Sequence, residues 1–288
     1  MKIVAGADQK YRVGNFDLTF PADHRLRQIH AIHTLYDRGF SDLVETISAA
    51  DPNASFIDIG ANVGDTAAYF RSHARNPILA VEGSPNFQRY LCENIKLLGP
   101  GVEIESSFAS VRQMETASVS FVEGTGSGHL KRAASATDVP LVPVAQLLER
   151  ARSIGNGVCS LLKTDTDGLD AYIIESALDA GFRGVLFFEC DLRSTIDLDD
   201  PDIWRRIYAR FDELGYSAIV YENLGLPLIC MDKFSAGQMF DLHGNLRLQH
   251  DVKCVRSHYH DVWAFPPEWH KQYIEARDKL RAGMLRLK

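Results

Sequence analysis

Short apolar runs and stretches of helical spacing alternate along most of this chain, beginning near residue 55. The runs are 55–59, Ile78 to Glu82, Val102 to Ser106, Ser160 to Thr164 and Gly184 to Glu189. They are rich in Val, Ile, Leu and Phe, which suits strands packed on both faces. Between them, residues about 65–73, Ser84 to Leu98, Val144 to Arg152, Asp170 to Ala180 and 201–214 carry the helical pattern. Pro85 just inside Ser84 marks a helix start, and Gly181 and Gly215 close two helices. Ser217 to Tyr221 and Leu228 to Met231 read as the last two strands. Such alternation predicts an α/β fold with a mostly parallel, doubly wound sheet.

A different pattern precedes it. Tyr11-Arg12-Val13 and Phe16 to Phe20 flank Gly14-Asn15, the signature of a hairpin. After Pro21, Leu26, Ile29, Ile32 and Leu35, then Leu43, Val44 and Ile47, recur at helical spacing. Residues 1–50 are therefore expected to form a hairpin and helical cap or lid, and 51–288 the main domain. Within the latter, Ser118 to Val122 reads as a strand and Gly124 to Gly128 as a flexible loop.

Composition narrows the field. The 288 residues are 45% hydrophobic and 24% charged, ordinary for a globular protein. A net charge of -7 argues against a nucleic-acid partner. Cys92, Cys159, Cys190, Cys230 and Cys254 are scattered singly, which fits reduced, buried thiols in a cytoplasmic protein. Neither a signal peptide nor a transmembrane stretch is legible. A homo-oligomer remains compatible with all of this.

The chemistry centres on Phe56-Ile57-Asp58-Ile59-Gly60-Ala61-Asn62-Val63-Gly64-Asp65. A buried strand runs through a glycine turn into a helix that starts near Thr66, the layout of a ligand site at the carboxyl end of a parallel strand. Glu82 follows Gly60 by 22 positions and ends the next strand, where a carboxylate can accept from two ribose hydroxyls. That spacing serves NAD and S-adenosylmethionine alike. The turn lacks the G-x-G-x-x-G of a dinucleotide site. Asp58 and Asp65 flank it, poor neighbours for a pyrophosphate and good ones for an ammonium and a sulfonium. The electrostatics favour S-adenosylmethionine over a nicotinamide cofactor.

With these residues in view, the chain resembles the FkbM family of S-adenosylmethionine-dependent methyltransferases. The motifs are FIDIGANVGDT (56–66), VEGSPNFQRYLCENI (81–95), LLKTDTDGLDAYIIESAL (161–178), YENLG (221–225) and YHDVWAF (259–265), preceded by LTFPADHRLRQIHAIHTLYDRGF (18–40). The resemblance implies a Rossmann-like, seven-stranded class I methyltransferase sheet with an antiparallel last strand. It assigns Asp58, Gly60, Asn62 and Gly64 to the methionine part of the cofactor and Glu82 to the ribose. Ser107 and Phe108 are placed at the adenine. Ala61, Asp65, Thr66, Ser84 and Asp165 complete the cofactor set. Family members carry K-x-D-x-E-G-x-E after strand four, whereas Asp167 and Asp170 here stand in place of both glutamates. The implied activity is O-methylation of a hydroxyl on a small molecule or glycan. The rival readings are a nicotinamide-dependent oxidoreductase and a non-catalytic, cofactor-binding partner in a biosynthetic complex.

Methyl transfer to a hydroxyl needs an aligned nucleophile and benefits from a base. Asp165 is the first candidate for that base, then Glu189, with Asp191 behind it. Asp167 and Asp170 read better as charges at a helix N-terminus. His30 and His33 read as packing residues that a lid could bring to the site. Asp165, Glu189 and Asp191 could instead gather around Mg²⁺, a reading ranked below the metal-free one. His258 and His260 would share one face of a strand, without a third ligand nearby. Trp263, Phe265 and Trp269 read as packing or as one wall of an acceptor pocket.

Overall fold

The computed structural model describes residues 7–36, 38–111, 114, 119–123, 128–132, 139–191, 200–255 and 257–285. Strands β1 (Gln9–Val13) and β2 (Phe16–Phe20) pair antiparallel across Gly14, whose φ of +53° meets the demand of the tight turn. Helices α1 (Leu26–Ile32) and α2 (Arg38–Ala50) lead into β3 (Ser55–Ile59), α3 (Asp65–His73), β4 (Ile78–Val81), α4 (Pro85–Asn94) and β5 (Val102–Glu105). Three short strands and a hairpin partner follow: β6 (Phe108–Ser110), β7 (Val119–Glu123), β8 (Gly128–Arg132) and β9 (Leu141–Pro143). Then come α5 (Val144–Ile154), β10 (Cys159–Thr164), α6 (Asp170–Asp179), β11 (Val185–Cys190), α7 (Ile203–Glu213), β12 (Ser217–Glu222) and β13 (Pro227–Met231). The chain closes with α8 (Ala236–Asp251), β14 (His260–Phe265) and α9 (His270–Leu285).

Eight strands form the main sheet in the order β13-β12-β14-β11-β10-β3-β4-β5. The five from β5 to β11 are parallel, and β14 runs antiparallel between β11 and β12. The winding reverses between β3 and β10, and a crevice opens outside their carboxyl ends, where ligands of such sheets bind. The chain therefore has the doubly wound α/β fold of the Rossmann-like type, with the antiparallel strand expected. β13 adds an eighth strand at one edge, antiparallel to β12.

The last two strands are not 217–221 and 228–231 as the pattern suggested. β14 comes last, inserted inside the sheet, and β13 sits at the rim. Residues Val262 to Phe265 are fully buried there, which is why that run is uniformly apolar. Trp263 and Phe265 are thus sheet core.

Alternation along each strand divides the core in two. Ile57, Leu79, Leu162, Leu186 and Val262 face α5, α6, α7 and α8. Phe56, Ile78, Leu161, Phe187 and Trp263 face α2, α3 and α9. The second layer also takes in Val13, Leu18 and Phe20 of the hairpin, with Leu26, Phe40, Leu43 and Ile47 of the leading helices. The hairpin, the two leading helices and the sheet thus share one hydrophobic layer. Cys159 and Cys190 are buried as expected, whereas Cys92 and Cys254 are exposed. No helix among the described residues is long and apolar enough to cross a membrane.

Candidate active site

The switch point between β3 and β10 is built on a buried ion pair. Asp58 and Lys163 are register partners on the two strands. Lys163 Nζ lies 3.0 Å from the Asp58 carboxylate and 3.4 Å from that of Asp165, and donates to the Gly60 carbonyl at 3.3 Å. Asp58 is fully buried and Lys163 nearly so. Burial alone would strip the ammonium of its proton, but Asp58, Asp165 and Asp65 outweigh it and hold Lys163 above the ordinary lysine range. Burial likewise pushes the Asp58 carboxyl up, and Lys163 opposes that shift.

Above the pair the chain turns at Gly60, φ +82°, where a Cβ would stand 2.0 Å from the Asp165 carbonyl oxygen. No other residue type fits between the two strand ends. Asn62, φ +47°, presents its backbone N–H to Glu82 at 2.8 Å. The other Glu82 oxygen accepts from the Ser84 N–H at 2.7 Å. Each oxygen keeps a lone pair for a ligand, and burial lifts the carboxyl to about 7.

Two cavities meet at Gly60, Asn62, Asp165, Thr166 and Asp167. The narrower, about 60 Å³, lies between Glu82, Gly83, Ser107, Phe108 and the β7–β8 hairpin, which contributes Phe121 and Leu130. The Phe108 and Phe121 rings pack at 5.0 Å between centroids. The buried Ser107 hydroxyl makes no hydrogen bond among the described residues. The wider cavity, about 430 Å³, falls within the usual range for small-molecule sites, roughly 300–1,000 Å³. Asp65, Asp165, Glu189 and Asp191 line it, together with Lys163, His24, Tyr36, His258 and Tyr259.

Most sequence-predicted residues therefore converge: Gly60, Asn62, Asp65, Thr66, Glu82, Ser107, Phe108, Asp165, Glu189 and Asp191 all border one of the two cavities. Four lie outside both. Asp58 sits one layer below, held by Lys163. Ala61 is buried against Ala80 and Leu91. Gly64, φ +89°, caps α3 next to Leu91, and the Ser84 hydroxyl caps α4 by accepting from Phe87 N–H at 3.5 Å.

The acids after β10 part company. Asp170 is buried and organises its own loop, accepting from the hydroxyls of Thr164 at 2.8 Å and Thr166 at 3.1 Å. Asp167, at φ +51°, lines both cavities, and burial beside Asp165 and Asp170 lifts it to about 7. The Gly124 to Gly128 loop reading falls on 124–127, outside the described residues, while Gly128 begins β8.

The histidine readings resolve differently. His30 accepts or donates at Tyr11 (2.9 Å) and Tyr69 (3.4 Å), stitching the hairpin to α3, and neither it nor His33 lines either of these two cavities. His258 borders the wider cavity, whereas His260 is buried and stacks on His243 at 6.1 Å, so they do not form a pair. Among the described residues no three His, Cys, Asp or Glu side chains converge on a metal position.

Lys163, His24, Tyr259 and Phe121 escaped the sequence reading. For Lys163 a signal was present: a lone charge inside Leu161-Leu162-Lys163 requires a buried partner, and Asp58 held the matching register. The others come from segments whose approach to the crevice is set only by tertiary packing.

Neither the family models nor the curated proteins compared with this chain match it. Solved structures of similar fold include an O-methyltransferase from Bacillus cereus in complex with SAH, 13% identical, covering 83% of this chain and 88% of that one, TM-score 0.41. Another is the plantazolicin methyltransferase BamL, 11% identical over 83% of this chain and 88% of that one, TM-score 0.40. A third is precorrin-6y C5,15-methyltransferase from Geobacter metallireducens, 13% identical, covering 63% and 73%, TM-score 0.34. At these scores the likenesses do not bear on function.

Proposed function

We propose that the chain is an S-adenosylmethionine-dependent methyltransferase of the FkbM type, transferring a methyl group to a hydroxyl of a small molecule or glycan. The carrying observation is Glu82. Its carboxylate is fixed by two backbone N–H groups at the rim of the narrow cavity, with two lone pairs left for the hydroxyls of a ribose. The unpartnered Ser107 hydroxyl and the Phe108 ring beside it suit a nucleobase, and Gly60 lets the ligand approach the backbone. Asp165 at the junction of the two cavities and Asp65 in the wider one suit the cationic end of the cofactor.

The cofactor supplies an electrophilic methyl group on a sulfonium. The protein's part is positioning and proton handling. Lys163 holds Asp165 at the junction of the two cavities, half exposed on the acceptor side. There Asp165 accepts the proton of an acceptor hydroxyl, and Glu189 on the adjacent strand end lines the same cavity.

Calorimetry with S-adenosylhomocysteine tests the reading. The homocysteine derivative binds and NAD does not; NAD binding alone would refute it. Glu82→Ala removes charged hydrogen bonds of roughly 1.5–3 kcal/mol, a loss of about ten- to a hundredfold in affinity. Unchanged affinity would place the nucleoside elsewhere.

A further inference from the structure

The wider cavity has a charge imbalance that the cofactor does not absorb. Asp65, Asp165, Asp167, Glu189 and Asp191 open into it. Among the described residues, the basic side chains in the same lining are Arg25 and Lys163, with His24 and His258, and Lys163 is already engaged by the buried Asp58. One nucleoside sulfonium, seated at Asp65 and Asp165, leaves the far side acidic. On that side Glu189 is partly buried, and its carboxylate makes no hydrogen bond or ion pair among the described residues. Its carboxyl is pushed well above the usual range, by burial first and then by Asp165 and its acidic neighbours. Among the described residues such a carboxylate has no counter-charge.

We infer that the acceptor carries a protonated amine, which Glu189 receives while the hydroxyl to be methylated lies at Asp165. The inference rests on the methyltransferase reading above. An organic cation fits better than a metal ion for two reasons. The described carboxylates do not converge on a single point. Leu26, Ile29, Tyr36 and Tyr259 add apolar or aromatic side chains to the same lining, and aromatic rings attract an ammonium. Asp165 sits beside Glu189 because β10 and β11 are parallel neighbours, with Thr164 opposite Phe188. One molecule of modest size can therefore reach both.

The test uses the full chain saturated with S-adenosylhomocysteine, after calorimetry has established that binding. Benzylammonium, benzyl alcohol and benzoate, equal in shape and different in charge, are titrated by ligand-observed NMR. Benzylammonium is expected to bind at least tenfold more tightly than the alcohol, and benzoate not at all. Glu189→Gln should bring benzylammonium down to the level of the alcohol while leaving S-adenosylhomocysteine affinity intact. Should that variant fail to fold, the charge series on the unaltered chain decides alone. Equal binding of the three probes overturns the inference, as does a larger melting shift with magnesium chloride than with benzylammonium. If S-adenosylhomocysteine itself fails to bind, the methyltransferase reading falls first; if it binds and the amine shows no advantage, only the present inference does.

Discussion

Replacing Lys163 with methionine isolates the ion pair on which the crevice is built. The two groups are 3.0 Å apart, with side-chain exposures of 4% for Lys163 and 0% for Asp58. At an effective dielectric constant near 20 their attraction is on the order of 5 kcal/mol. Removing one partner of a buried pair costs about 3–5 kcal/mol, because the other charge stays behind unpaired. That is a large part of the 5–15 kcal/mol that stabilises a typical domain. Lys163→Met should therefore lose about 3–5 kcal/mol in urea unfolding at pH 7.5, with the m-value unchanged. The loss has a pH signature. Without Lys163, the Asp58 carboxyl rises further in the fold while its unfolded value stays at 3.8. The folded variant then binds the extra proton, so its deficit shrinks as pH falls through the raised value and is smallest below the unfolded one. Asp58→Asn in the Lys163→Met background removes the stranded charge and should recover most of the loss. A deficit under about 1 kcal/mol at pH 7.5 would refute the reasoning, as would a double variant no more stable than Lys163→Met alone.

Two further outcomes follow from buried polar groups. The Ser107 hydroxyl has no partner to lose among the described residues; Ser107→Ala should leave unfolding within about 0.5 kcal/mol of the parent and weaken S-adenosylhomocysteine several-fold by calorimetry, consistent with one hydrogen bond of about 1 kcal/mol. His243 is buried, bonded to Tyr208 at 3.0 Å, and burial first and His260 second lower it from 6.5 to about 4. It stays neutral in the fold while the unfolded chain takes up a proton below 6.5, so its contribution is complete above pH 6.5 and is lost as pH falls toward 4. Between pH 7.5 and 5 the parent should lose about 2 kcal/mol more than His243→Gln, read from paired urea titrations; parallel curves would show that the histidine does not titrate.

The parts of this molecule legible in its sequence are those governed by local rules. Strand β3 and helix α3 fall at the residues the pattern marked, because a buried apolar run, a glycine turn and a helix start are each specified within a few positions. The same holds for Glu82, whose place just past the end of β4 follows from counting along one strand-turn-helix unit. What stayed hidden depends on which distant segments meet. β14 carries a plain apolar run, and nothing in Val262 to Phe265 says that it enters between β11 and β12 instead of pairing at the rim. Phe121 and Leu130 reach the narrow cavity through a hairpin outside the main sheet. The roles of the aspartates show the same boundary at finer scale. Asp58 and Asp165 are both acids at strand ends, equal candidates for the ligand by position. Alternation carries Asp58 onto the face where Lys163 waits one strand away, so it neutralises a buried ammonium. Asp165, two residues beyond Lys163, emerges past the end of β10 and keeps its carboxylate half exposed at the junction of the cavities. A carboxylate can work as a base only where an acceptor can reach it. The glycine turn thus rests on one aspartate, while the other is left open to the cavities, where the proposed chemistry needs it, and the strand register separates them.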